Sequence, residues 1–153
     1  MTPRAGGTRG RTLLGGGLVS LATLLLGVGC DQKKVVECQS LIQVINAGVQ
    51  TLEKQDKLES EPSGISALKA MADVLDKLAA DAAKVQLTAT ELQGYAAGYQ
   101  AMAREVSKSA REMAVAAEAK DELKLGAAQA AMEKAVKQED PLVDNINKFC
   151  QSH

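Results

Sequence analysis

The sequence predicts an all-α domain, on three observations. Residues 67–135 hold 22 Ala, the strongest helix former. After residue 30, Pro is confined to Pro62 and Pro141, so helix-breaking residues are rare. Apolar side chains recur at spacings of three and four, which puts them on one face of a helix with 3.6 residues per turn. Four such stretches with short connections point to an up-down-up-down antiparallel four-helix bundle of long Ala-rich helices after a cleaved N-terminal segment.

The first helix is expected over about 34–58, with Cys38, Leu41, Ile42, Ile45, Val49 and Leu52 on its inner face. Ser60, Pro62 and Gly64 end it, because Pro and Gly sit poorly in a helix interior. The second, about 66–85, buries Leu68, Met71, Ala72, Leu75, Leu78, Ala79 and Ala82. Thr88 and Glu91 have the spacing of a capping box, so the third helix is expected to start there and run to about 119. In it Leu92, Tyr99, Val106 and Met113 recur every seven residues. Tyr95, Met102 and Ala116 fill the alternate seam of this coiled-coil pattern, which Ser109 interrupts. The fourth starts near Asp121 and carries Ala128, Met132, Ala135, Val136, Leu142, Ile146 and Phe149. Pro141 should kink or restart it, since Pro lacks an amide proton and clashes with the preceding turn.

The N-terminus has a different character. Arg4, Arg9 and Arg11 precede an uncharged stretch, 13–29, rich in Leu and Gly, and nine of the 13 Gly lie in the first 48 residues. A positive start, an apolar middle and small residues read as an export signal peptide, and the stretch is short for a spanning helix. It ends Leu26-Gly27-Val28-Gly29-Cys30. This resembles the lipobox of bacterial lipoproteins, although Gly27 stands where the family usually has an aliphatic residue. The resemblance covers residues 1–30 and implies cleavage before Cys30 and attachment of palmitate-like acyl chains to it. The expected organisation is thus a signal peptide over 1–29, a lipidated tether over 30–36 and a helical bundle over 37–153. The protein would be exported to the periplasm or cell envelope and anchored to a membrane, inner or outer.

Cys38 and Cys150 fall near the start of the first helix and the end of the fourth, at one end of such a bundle. An exported chain meets an oxidising compartment, so a disulfide between them is expected. Closing so long a loop adds up to roughly 4.7 kcal/mol on the chain-entropy model. A lipidated Cys30 would hold this end near the bilayer, with the connection 86–90 facing it. The tips at 59–64 and 119–125 would point away and make partner contacts.

Composition excludes several functions. From Cys30 onward there are 15 basic and 19 acidic side chains, a net charge of −4, so the chain lacks the basic face of a nucleic-acid binder. The one His ends the chain, which leaves no ligand set for zinc, di-iron or haem and no His general base. No metal, cofactor or catalytic residue is expected, and the protein reads as a non-enzyme. Glu53 with Lys57, Asp73 with Lys77, Glu133 with Lys137 and Asp144 with Lys148 read as surface ion pairs along helices. Gly94 and Gly98, with Tyr95 and Tyr99, allow close helix packing, either inside the bundle or at a homodimer seam. The expected function is a scaffold or accessory subunit that contacts an envelope protein. The alternative is a module whose bundle core, or a groove lined by Met71, Met102, Met113 and Met132, holds a lipid or other apolar ligand.

Overall fold

The computed structural model describes the backbone of residues 29–58 and 64–152 and the side chains of 32–55 and 64–152. It is all-α, about 90% helical, with no strand among the described residues. The helices are α1 Gly29–Leu58, α2 Gly64–Lys84, α3 Thr90–Glu118, α4 Glu122–Val136 and α5 Glu139–Gln151. The expected signal peptide up to residue 28 and the centre of the first tip, 59–63, lie outside the described residues, as does the side chain of Cys30.

One element departs from expectation, and another restarts, as Pro141 was expected to make it do. Residues 30–36, expected as a tether before a helix starting near 34, are the first two turns of α1. The fourth helix is two. The break falls at Lys137 and Gln138, and Pro141 sits in the first turn of α5. A proline there crowds the carbonyl four residues earlier, that of Lys137, so the helix has to end before its ring is reached.

α2 runs antiparallel to α1, α3 antiparallel to α2, and α5 antiparallel to α3. Glu37 of α1 meets Thr88 after α2, while Gly48 meets Leu78. Lys69 of α2 reaches Glu118 of α3, and Asp76 reaches Arg111. Tyr95 and Gly98 of α3 lie against Phe149 and Leu142 of α5. α3 is the central element, contacting α2, α4 and α5, while α1 packs on α2 and α5.

The core joins Cys38, Leu41 and Ile45 of α1 to Leu75, Leu78, Ala79 and Ala82 of α2. It continues through Leu92, Ala96, Tyr99, Met102, Ala103 and Val106 of α3 to Ala135 and Ile146. Alanine on the facing sides of α2 and α3 brings their backbones close enough for the buried Ser107 hydroxyl to donate to the Ala72 carbonyl at 3.0 Å. Gly48 serves the same purpose between α1 and α2, because a Cβ there would lie 2.7 Å from the Leu78 methyls. Gly98 admits Leu142, whose Cδ2 would be 2.8 Å from an added Cβ. The small residue at 98 is therefore used for packing within the chain.

Ser109, which interrupts the coiled-coil seam, is 1% exposed and its hydroxyl has no hydrogen-bond partner among the described residues. Burying an unpaired hydroxyl costs more than burying a methyl of similar shape. Ser109→Ala is expected to stabilise the fold by about 1 kcal/mol, seen as a higher urea midpoint at unchanged slope. A lower midpoint would contradict the unpaired state of this hydroxyl.

Candidate functional site

The candidate site consists of the two ends of the helical array. At one end Cys38 and Cys150 are joined by a disulfide across a sequence separation of 112, with Cα atoms 5.7 Å apart. This is the pairing expected from their places in the chain. Around it α5 is clamped from two sides. The Lys34 ammonium lies 4.7 Å from the centroid of the Phe149 ring and donates to the Ser152 carbonyl and hydroxyl. From α3, Tyr95 meets Phe149 edge-on at 6.5 Å, and its hydroxyl donates to Glu91 at 2.7 Å.

The same end corrects the expected capping box. The N-cap of α3 is Ala89, which provides no side-chain bond, and Glu91 is engaged by Tyr95. Thr88 turns instead to α1, where the Glu37 carboxylate accepts its hydroxyl at 2.6 Å and its amide at 2.9 Å. The Thr88 hydroxyl first, then the Thr88 and Ala89 amides, hold the Glu37 carboxyl below its ordinary 4.5. A carboxyl lowered on folding stabilises the protein above its unfolded pKa and loses that contribution as pH falls through the folded value. Wild-type stability should therefore drop on acidification below about pH 4.5 more steeply than that of Glu37→Gln. At neutral pH the Gln variant should have the lower midpoint. Parallel pH profiles for the two proteins would show that Glu37 does not carry this link.

At the other end, α3 closes in a Schellman arrangement. The Asp121 amide donates to Ala116 and the Lys120 amide to Ala117, with Lys120 in the left-handed region at φ 54°. Asp121 then caps α4 by accepting the Lys124 amide at 3.1 Å, so α4 begins where the sequence suggested. The turn leaves Leu123 88% exposed and Val115 62% exposed. Below them a groove of about 450 Å³ runs between α3 and α4, lined by Arg111, Val115, Ala116, Lys124, Ala127 and Ala128. The α2 side of this tip is held by Lys69 to Glu118 at 2.6 Å and by the Arg111 fork, at 2.7 Å to Asp73 and 2.6 Å to Asp76.

Among the described side chains none of the expected ion pairs forms, neither Asp73 with Lys77, nor Glu133 with Lys137, nor Asp144 with Lys148. Asp73 is taken by Arg111 of α3, while Lys77 pairs with Asp81, which Lys84 also meets. The two ammonium groups hold the Asp81 carboxyl at about 2. Lys57 lies outside the described side chains. Of the methionines of the alternative reading, Met102 is in the core and Met71 and Met132 lie against it, while Met113, expected on the same seam, is half-buried and outside that cluster. Among the described residues no group of three or more His, Cys, Asp or Glu is placed to hold a metal, and no helix is long and apolar enough to cross a membrane. The chain matches no family model, and no curated protein and no solved structure is significantly similar to it.

Proposed function

We propose that the protein is a non-enzymatic lipoprotein of the bacterial cell envelope, anchored by acyl chains on Cys30, that acts through protein contacts as a scaffold or accessory subunit. The observation that carries this reading is the N-terminal string: three arginines, an uncharged Leu- and Gly-rich stretch, and Val28-Gly29 before Cys30. Two structural features support it. The disulfide and its aromatic clamp stand at the α1 end that follows Cys30. The opposite tip presents Leu123 and Val115 to solvent beside an apolar groove, as a surface that meets another protein would.

The test is crosslinking in the intact envelope from photoreactive residues placed at Leu123 and, at the other tip, Glu61, with mass spectrometry of the products. Recurrent capture of one envelope protein supports the accessory-subunit reading. If both tips capture nothing while the chain is acylated and disulfide-bonded, the tip-contact reading is wrong. A stoichiometric apolar molecule co-purifying with the protein would favour a ligand-binding role instead.

A further inference from the structure

The outer face of α1 differs from the rest of the surface. Residues 38–52 contain no charged side chain, the longest such run among the described residues. At about 100° per residue, Cys38, Leu41, Ile45 and Leu52 face the core, and Gln39, Gln43, Asn46 and Gln50 lie on the opposite side. All four amides are exposed, and they line one shallow groove with Ile42 and Ala47. Their spacing of four, three and four is that of a coiled-coil seam. It extends back through Val36 to Gln32 without a break. Val36 is 55% exposed and the adjoining Val35 48%, two of the five large apolar side chains left open among the described residues.

We propose that this face of α1 is the seam of a parallel homodimer, in which the amide side chains of Gln39, Gln43, Asn46 and Gln50 pair with their own counterparts in a second copy. The chemistry selects a second copy of this chain as the occupant. A primary amide both donates and accepts, so like amides satisfy one another in register when brought out of water. An acidic or basic partner would find no countercharge on the stripe. Buried amides at seam positions fix register and orientation at a cost in stability, so the pairing is weak in dilute solution. Two chains anchored in one leaflet have their α1 helices aligned and their encounter confined, which raises the effective concentration of the second copy. The parallel orientation rests on the lipid-anchor reading; the choice of face rests on the helix itself.

The experiment uses full-length Gln43→Cys, Asn46→Cys and Gln50→Cys variants, with Lys108→Cys on the outside of α3 as control. Cys38 and Cys150 are bonded to each other, and each variant is also made with Cys30→Ser, so that an unacylated Cys30 adds no second reactive thiol. Under mild copper–phenanthroline oxidation in envelope membranes and in concentrated purified protein, the three seam variants should give symmetric dimers and the control should not. Adding Gln39→Lys and Asn46→Lys to the Gln50→Cys variant should cut its dimer yield roughly tenfold through like-charge repulsion. The unfolding midpoint should stay unchanged, because both sites are exposed. Seam yields no higher than the control overturn the proposal. Acylation of Cys30, read by mass, separates the two readings: an acylated chain without seam crosslinks loses only the dimer, and seam crosslinks in an unacylated chain cost only the anchor.

Discussion

Cys38→Ser/Cys150→Ser is expected to lose about 2–4 kcal/mol of stability, within a chain-entropy limit near 4.7 kcal/mol for so long a loop. The loss should start in α5. That helix has 13 residues, about the length below which an isolated helix does not hold in water. Its anchors besides the disulfide are Ile146 in the core, Leu142 against Gly98, and Phe149 between Lys34 and Tyr95. Without the bond, amide exchange should rise first in α5 and the opening turns of α1. Exchange in the facing parts of α2 and α3, which are zipped by alanine and by Ser107, should rise only with global unfolding. Thermal and urea unfolding of oxidised wild type beside the double variant measures the size of the effect, and residue-resolved exchange measures its place. Equal midpoints, or exchange rising evenly along the chain, would show that the bond does not tether α5.

Cys30→Ser should change location and leave stability alone. If Cys30 carries several acyl chains, each buried methylene contributes about 0.8 kcal/mol, so wild type stays with the membrane through salt and carbonate washes. The Ser variant should fail to incorporate labelled palmitate. Once its export signal is removed, or the variant is made without it, the chain should move almost wholly to the soluble fraction. No described helix offers a spanning alternative. Because α1 is already helical at Gly29, the eight residues from Cys30 to Cys38 rise only about 12 Å. An anchor at Cys30 therefore sets the disulfide end close against the bilayer. The unfolding midpoint of the exported domain should match wild type, which distinguishes this variant from the disulfide variant. A Cys30→Ser chain freed of its export signal that still remains in washed membranes would end the anchor reading.

Position along the chain carried much of the architecture. The period of apolar residues, the density of alanine and the scarcity of proline located α2, α3 and the start of α4 to within about two residues. The placement of Cys38 and Cys150 at matching helix ends anticipated their bond. Less visible was whatever depends on partners distant in sequence. Thr88 is drawn to Glu37, 51 residues away, and so leaves the capping box that its own neighbourhood offers. Asp73 has Lys77 one turn on, yet pairs with Arg111, whose fork also takes Asp76. Gly98 could serve packing within the chain or between chains, and only the position of Leu142 decides between them.

The physical division is one of range. Helix propensity, apolar period and an export string act over a few residues and are read before or without folding, so the sequence by itself determined the all-α class and the expectation of a lipid anchor. Which carboxylate meets which donor, which glycine admits a neighbour and which face of α1 remains uncovered depend on how the helices pack. Those were decided only by the tertiary structure, because each contact exists only once elements tens of residues apart have been brought together.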